Sequence, residues 1–213
     1  MRRARSEDQK QTRREELLNR AKELFSASSF ESVTMADVAL KAGVAKGTLF
    51  LYFKSKEELF LEVLEQLLEE WFTEIDSMLP ATNSVDDVSR LLCQSLENRA
   101  ILTRLLAILH TTLETNLAFD RLVSFKLFLR DHLLATGNLL EQRLQFLKPG
   151  EGAVLLLQID ALIIGLGHLS NPGEIALKVL EKPELATLKV DFSLQLSHTL
   201  KVFLRGLEAE AKG

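Results

Sequence analysis

The sequence predicts an all-α protein. Only four prolines and ten glycines occur among its 213 residues, and helix-forming residues dominate. No stretch of useful length alternates apolar and polar residues in the way that a half-buried strand does. A chain of this length can bury a core without disulfides or metal ions, and it accommodates one large or two modest domains.

The first predicted helix spans residues 8–27, where one apolar stripe contains Leu17, Leu18, Ala21, Leu24 and Phe25. Thr34 is expected to begin the next helix, because Asp37 follows three residues later and the pair has the spacing of a capping box. After a turn at Gly43, a third helix is predicted over residues 45–53.

Helices also fill the rest of the chain. Ser55 and Glu58 repeat the capping spacing and open a long helix over residues 55–79. Ser84 and Asp87 mark another helix start. Further helical patterns cover residues 84–97, 100–116, 119–146, 151–170 and 185–209. The helix-breaking segments between them are Pro149-Gly150, Asn171-Pro172-Gly173 and Pro183.

Charge divides the chain into two parts. Residues 1–56 carry 12 Lys and Arg against 7 Asp and Glu, a net charge of +5. Residues 57–213 carry 14 against 23, a net charge of −9. A basic segment on an acidic chain indicates a surface that attracts phosphates and binds them less tightly as salt rises. We therefore predict a basic head, residues 1–56, and a helical body, residues 57–213.

Other features indicate a soluble cytoplasmic protein. The N-terminal residues MRRARSEDQK lack the apolar segment of a secretory signal. The most apolar run, residues 154–166, is interrupted by Gln158 and Asp160 and is shorter than the roughly 20 residues that span a bilayer. Cys93 is the single cysteine, so it forms no internal disulfide, and its apolar surroundings are typical of a small buried side chain.

Residues 34–59 have the layout of a helix-turn-helix, in which two short helices cross closely. Ala39 supplies a small residue at the crossing, and Gly43 permits a positive φ in the turn. Between and beneath the helices we expect Val44 and Leu49, with Val38, Phe25 and Phe53. A three-helix core without a role in DNA binding would use the same residues. The basic charge and the paired caps favour DNA binding.

In a helix-turn-helix the third helix enters the major groove, which is wide enough for it. Its exposed N-terminal residues are Lys46, Gly47 and Thr48. Gly47 costs the helix about 1 kcal/mol relative to alanine. A close approach to DNA would explain that cost, and a simple helix defect is the alternative.

Phosphate contacts are expected beside this helix. Lys56 lies at the start of the following helix, where free N–H groups favour an anion, and the Tyr52 hydroxyl can donate to another phosphate. The arginines at the N-terminus form either an arm along the duplex or a solvated tail; they are Arg2, Arg3 and Arg5.

The segment TMADVALKAGVAKGTLFLYFKSKEEL resembles the N-terminal helix-turn-helix of the TetR family of bacterial transcriptional repressors. The similarity covers about residues 10–60. It is carried by Thr34, Val38-Ala39, Ala42-Gly43-Val44, Gly47-Thr48, Tyr52-Phe53 and Lys54-Ser55-Lys56. It implies a homodimer that binds a palindromic operator in double-stranded DNA, and an all-α body that binds an effector. The DNA contacts that follow are Thr34, Lys46, Gly47, Thr48, Phe50, Tyr52 and Lys56.

Two residues depart from the family pattern. The residue that opens the third helix is often Ser or Thr in the family and is Ala45 here, which removes an N-cap of about 1 kcal/mol. A tyrosine that often contacts phosphate is replaced by Phe50, which cannot form that hydrogen bond. Phe50 can still contact a thymine methyl group.

The body resembles the family in layout. In the family the last two helices of each subunit form a four-helix dimer interface. The corresponding candidates here are Ala161, Gly165, Gly167, Leu196, Leu200 and Phe203. For the apolar run at residues 154–166, a helix buried within one chain is the alternative interpretation.

A ligand pocket is expected among the central helices. The candidate lining residues are Leu109, His110, Leu113, Phe125, Phe128, His132 and Ile164. Each of them also fits an ordinary core. Because the set is mostly apolar, it favours a hydrophobic or amphipathic effector, such as a fatty-acyl compound, an aromatic or a drug-like molecule. Effector binding would release the repressor from DNA.

Two other classes of function are alternatives to a DNA-binding regulator. An enzyme is disfavoured because the chain lacks the H-E-x-x-H, G-x-S-x-G and paired-cysteine motifs. Residues 43–48 contain Lys-Gly-Thr, not the order of a P-loop, and no strand precedes them. We therefore predict no catalytic residue, no cofactor and no metal ion. A helical protein-interaction adaptor without ligand switching remains the alternative function.

Overall fold

The computed structural model describes the backbone of residues 2–213 and the side chains of residues 8–213. Within that range the chain forms ten α-helices and no strand, which confirms the all-α prediction. The helices are α1 (Arg2–Ala27), α2 (Met35–Lys41), α3 (Lys46–Phe50), α4 (Lys56–Met78), α5 (Val85–Ser95), α6 (Ala100–Leu109), α7 (Phe119–Arg143), α8 (Glu151–Ser170), α9 (Glu174–Leu180) and α10 (Phe192–Lys212). The side chains of three predicted contacts lie outside the described residues: Arg2, Arg3 and Arg5.

The chain divides into two compact units. The first comprises Met1–Leu68 and Ile108–Val123, and the second comprises Glu69–Ala107 and Ser124–Gly213. The predicted head, residues 1–56, lies within the first unit, which also includes the first half of α4. The functional boundary at residue 56 stays a prediction.

Aromatic and aliphatic side chains form the core of the first unit. Phe60 on α4 packs against Phe25 and Phe30, with ring centroids 5.4 Å apart in both pairs. Leu17 and Leu18 of the predicted stripe are fully buried. This core supports α2 and α3, which pack against each other, and α2 also packs against α1.

The second unit is built around α10, which packs against α5 and α8. The Trp71 indole N–H donates to the Ser95 hydroxyl at 2.9 Å, so its one polar group is satisfied in the core. α7 and α8 cross with their backbones in contact: a Cβ built on Gly152 would lie 2.1 Å from the carbonyl oxygen of Gly137. Only glycine fits at this crossing.

Several predicted helix boundaries change. The pattern over residues 100–116 divides into α6 and a 3-10 helix at Leu113–Asn116. The last helix begins at Phe192 instead of residue 185, because the Asp191 side chain caps it by accepting a hydrogen bond from Leu194 N at 2.8 Å. α9 is absent from the sequence prediction, and none of its residues is buried.

Among the described residues, one helix is long and apolar enough to cross a membrane by length and composition, namely α8. It extends beyond the apolar run at residues 154–166. Core helices of proteins that cross no membrane have the same length and composition, so α8 is weak evidence for a membrane span.

Candidate nucleic-acid interface

The start of α2 is held by a reciprocal cap. Thr34 Oγ1 accepts from the backbone N–H of Asp37 at 3.2 Å, and Thr34 N donates to Asp37 Oδ2 at 2.9 Å. This arrangement confirms the predicted capping box. The hydrogen bond from the Thr34 hydroxyl, followed by that from its backbone N–H, holds the pKa of Asp37 below its usual range. The Asp37 carboxylate therefore stays charged at the helix N-terminus.

The turn between α2 and α3 depends on Gly43. Its φ is 65°, which confirms the predicted positive φ. The chain then turns back, and Val44 N donates to Ala39 O at 3.0 Å. Ala39 and Leu49 are buried where the two helices meet. The close crossing expected of a helix-turn-helix is therefore present.

α3 presents an exposed outer face. Its N-cap residue is Ala45, which makes no side-chain hydrogen bond because a methyl group has neither a donor nor an acceptor. Lys46 and Gly47 are exposed, and the Lys46 ammonium lies 5.9 Å from the centroid of the Phe50 ring. Thr48 is half-buried. α3 is shorter than the predicted 45–53 helix, although Phe53 N still donates to Leu49 O at 3.1 Å.

Lys56 makes contacts that the sequence did not reveal. Its ammonium donates to the carbonyl oxygens of Phe30 at 2.7 Å and Val33 at 3.1 Å, and lies 4.0 Å from the centroid of the Phe30 ring. These carbonyls belong to the loop that leads into Thr34. Lys56 therefore ties the start of α4 to the entrance of α2, and one of its three N–H donors is left over.

Arg14 positions the other end of the reading segment. Its guanidinium pairs with both carboxylate oxygens of Glu62, donates to Tyr52 O at 3.3 Å and lies 4.7 Å above the Phe53 ring. The hydrogen bond to Glu62 raises the pKa of Arg14. Sequence reasoning missed this residue. Its position three and four residues before the buried Leu17 and Leu18 was the available signal.

An open groove of about 760 Å³ lies between the N-terminal part of α1 and Tyr52. Its charged lining residues are Asp8, Lys10, Arg13 and Glu16. Arg13 pairs with Glu16 at 2.8 Å. Basic and acidic groups balance here, so the groove adds little to the positive potential of the head.

The predicted pocket residues are divided between the two units. In the first unit Leu109 and Leu113 are buried, whereas His110 is exposed with Nδ1 3.2 Å from Glu114 Oε1. The half-buried Ile164 lies in the second unit, as do the residues of an aromatic cluster. Three residues of that cluster were predicted, namely Phe125, Phe128 and His132.

The aromatic cluster surrounds His132. The His132 ring stacks on Phe72 at 4.9 Å and meets the Phe128 ring edge-on at 4.6 Å. Phe128 in turn stacks on Phe125 at 6.4 Å. His132 Nε2 lies 2.9 Å from Glu69 Oε2, so the imidazole has a polar partner as well as an apolar face. The second unit thus brings these predicted residues together.

Two of the predicted dimer-interface residues are buried within the chain. Leu196 and Leu200 are buried in the core of the second unit, where α10 packs against α5 and α8. A side chain with no exposed surface cannot reach a second copy, so these two are core residues in this structure. Phe203 is half-buried and Gly167 is buried, while Ala161 and Gly165 are exposed on α8.

Cys93 is half-buried and lines a cavity of about 240 Å³ between α5 and α10. Burial raises the pKa of its thiol, which keeps the sulfur protonated and unreactive at neutral pH. Across residues 8–213 no cluster of three or more His, Cys, Asp or Glu side chains could hold a metal ion.

Two family models match the chain and together cover most of it. The model described as "Bacterial regulatory proteins, tetR family" matches residues 17–63. The model described as "Tetracyclin repressor-like, C-terminal domain" matches residues 65–211.

Similarity to curated relatives covers part of the chain. The HTH-type transcriptional repressor KstR2 of Mycolicibacterium smegmatis is 34% identical over 87 residues, which are 40% of this chain and 42% of that protein. The chain spans less than half of the length of the curated relatives that it matches.

Solved structures resemble the chain over nearly its full length. A putative transcriptional regulator from Rhodococcus sp. RHA1 has a TM-score of 0.63 at 19% identity, over 90% of this chain and 94% of that one. The transcriptional regulator FadR from Bacillus subtilis, solved in complex with stearoyl-CoA, has a TM-score of 0.55 at 17% identity, over 87% and 96%. At these identities the likeness shows the fold alone.

Proposed function

The chain belongs to the tetR family of bacterial regulatory proteins, and on that premise we propose that it is a DNA-binding transcriptional repressor released by a small molecule. One observation carries the proposal: α2 and α3 form a helix-turn-helix whose outer face is exposed, on a head with a net charge of +5. Such a face has the dimensions and charge to enter the major groove.

The proposed DNA contacts fall into two groups. Lys46, Gly47 and Thr48 of α3 approach the base edges. Thr34, Tyr52 and the third N–H of Lys56 contact phosphates on either side. Phe50 adds an apolar contact. Phosphate contacts position the protein and base contacts select the sequence.

Selection of bound duplexes from a random pool tests DNA binding and also reports the symmetry of the site. We expect one enriched motif whose binding weakens as salt rises. Lys46→Ala should weaken binding to the selected motif and relax the preference at the base position that Lys46 contacts. Lys182→Ala, an exposed lysine of the body, is the matched control and should leave both the affinity and the motif unchanged. If no motif is enriched, DNA binding is not the function.

We further propose that the protein acts as a homodimer on a palindromic operator. A stripe of exposed residues on α8 supports this proposal: Val154, Leu157, Ala161 and Gly165. A Cβ on Gly165 would meet no atom of its own chain within 4 Å, which leaves room for a second helix. On α10 the exposed apolar residues Leu194 and Val202 replace the buried candidates. A two-fold protein reads two half-sites about 34–36 Å apart.

Sedimentation of two charged variants tests the dimer. Leu157 on α8 and Leu177 on α9 are equally exposed, at 51% each. Leu157→Glu should convert the dimer to a monomer, because a buried unpaired charge is costly. Leu177→Glu should leave it dimeric. Equal behaviour of the two variants would rule out the α8 stripe as the interface.

The effector site is proposed in the second unit, around the cluster of Phe72, Phe125, Phe128 and His132. This cluster offers apolar rings and one imidazole, which suits an amphipathic ligand such as a fatty-acyl compound. Ile164 belongs to the same unit. Three other predicted lining residues lie in the first unit and stay predictions: Leu109, His110 and Leu113.

Release requires that the effector bind the DNA-incompatible state more tightly than the DNA-bound state. α4 continues from the first unit into the second and is the proposed lever.

Stearoyl-CoA is the first probe, with free coenzyme A as its control. If no acyl compound, aromatic or drug-like molecule changes operator affinity, the switching half of the proposal fails while DNA binding stands. The protein-interaction adaptor becomes the better proposal if no duplex is bound. A regulator of this kind acts in the cytoplasm without catalysis.

A further inference from the structure

Leu51 is an exposed leucine at the end of the recognition helix. Its side chain is 81% exposed, and the preceding Phe50 is 43% exposed. α3 ends at Phe50, but the backbone of Leu51 keeps helical torsion angles, with φ −73° and ψ −21°. Leu51 lies two residues after the fully buried Leu49, which places it about 200° around the helix and on the outer side. The core therefore does not explain this leucine.

The outer face around Leu51 combines apolar and basic groups. Gly47 precedes Leu51 by four residues and shares its side of the helix. A Cβ on Gly47 would meet nothing within 4 Å, so the surface beside Leu51 is open. Two exposed lysines lie in the flanking sequence: Lys46, whose ammonium lies near the Phe50 ring, opens α3, and Lys54 follows it. An apolar centre with a cationic rim is complementary to a polyanion that carries apolar groups inside a groove.

The DNA major groove has these properties. Among the four bases of DNA, only thymine presents a methyl group there, beside hydrogen-bonding edges. We propose that Phe50 and Leu51 form an apolar surface that selects operator positions by contact with thymine methyl groups. This proposal rests on the proposed function and adds Leu51 as a specificity-determining residue. It also assigns a reason for phenylalanine at position 50: a ring without a hydroxyl packs on a methyl and leaves no polar group unsatisfied.

Uracil substitution isolates the methyl group, because deoxyuridine keeps the base pair and removes only the thymine methyl. In the duplex obtained by random-pool selection, each thymine is replaced in turn. We expect the wild-type protein to lose about fourfold in affinity for each contacted methyl that is removed, corresponding to one buried carbon. In Leu51→Ala the loss at the contacted position should disappear.

Leu40→Ala is the matched control. Leu40 is also 81% exposed and lies in the same head, but on α2. It should respond to uracil as the wild type does. Both variants remove an exposed side chain, so their thermal unfolding midpoints should match the wild type.

Two results would overturn the proposal. The first is a wild-type affinity that no uracil substitution changes, or a selected half-site without thymine. If the sedimentation coefficient of Leu51→Ala is then altered, the leucine belongs to a protein contact. The second is an equal uracil response in the wild type and Leu51→Ala. In each of these cases the duplex is still bound. Failure to select any duplex instead removes the proposed function, and with it this inference.

Discussion

The two units differ in how far their structure can be traced to local motifs. In the first unit, the helix-turn-helix is defined by close sequence neighbours, Thr34 with Asp37 and the positive φ of Gly43, although Lys56 adds longer-range support. In the second unit, the contacts that define the structure join different helices, such as the backbones of Gly137 on α7 and Gly152 on α8. The turn and the cap of the reading head are therefore encoded in short motifs, whereas the body is encoded in packing between helices.

The largest effect should come from breaking the crossing in the second unit. Gly152→Ala places a methyl group 2.1 Å from a backbone oxygen that cannot move without shifting α7. We expect about 3 kcal/mol of destabilisation in urea unfolding, at the upper end of the cost of overpacking.

Gly47→Ala is the counterpart in the first unit. It should raise stability by up to about 1 kcal/mol, because alanine favours the helix and meets open space. It should also lower operator affinity. If Gly47→Ala and Gly152→Ala destabilise the protein equally, the difference in space around the two glycines does not control stability.

Lys56→Ala should lower both stability and DNA binding. It removes hydrogen bonds from the ammonium to the Phe30 and Val33 carbonyls, at a cost of about 2 kcal/mol in unfolding experiments. Operator binding should weaken, and the salt slope should fall by about 1. If stability falls but the salt slope of binding does not change, Lys56 holds the loop before Thr34 and does not contact a phosphate. Lys46→Ala, by contrast, should relax the sequence preference of binding without a comparable loss of stability.

Two N-caps allow the units to be compared directly. Thr34 caps α2, and Ser84 caps α5 by accepting from Asp87 N at 3.1 Å. Thr34→Ala and Ser84→Ala should each cost about 1 kcal/mol of stability. Only Thr34→Ala should weaken operator binding beyond the effect of its stability loss. Equal affinities of the two folded variants would remove Thr34 from the DNA contacts.

The smallest effect is on acid stability. The pKa of Asp37 is lowered by Thr34, and the pKa of Asp87 by Ser84 and then by the Asn83 backbone N–H. A lowered folded-state pKa means that the stabilisation is present above the ordinary value of 3.8 and is lost as pH falls through the folded value. Asp37→Asn and Asp87→Asn should each reduce the slope of stability against pH below about 4. An unchanged slope in both variants would show that these caps do not contribute to acid unfolding.

Most of the reading head was predictable because its determinants are local. The spacing of Thr34 and Asp37 predicted the cap, Gly43 predicted the turn, and the helix-turn-helix layout predicted the buried Leu49. One local prediction needed adjustment. Glu58 accepts from Lys54 N instead of Ser55 N, although Ser55 Oγ does accept from Glu58 N. Ser55 therefore still caps α4, and only the backbone donor to Glu58 lies one residue earlier than expected.

The long-range positions were not predictable. Lys56 was predicted at the DNA backbone, but its ammonium also binds two carbonyls of a loop 23 to 26 residues away. The exposure of Leu51 was not predictable, because the sequence does not distinguish an exposed leucine two residues after Leu49 from a core leucine. Leu196 and Leu200 were predicted at an interface, and the tertiary structure places them in the core.

From its residue order alone, the chain specifies which segments are helical, where the short helices begin and which end carries positive charge, since these properties arise within about four residues or from composition. Only the folded structure decides which face of each helix is buried against which partner. Periodicity defines an apolar stripe but does not name the surface that covers it. That is why Leu200 on α10 is buried by helices of its own chain, whereas Leu51, directly after α3, is exposed.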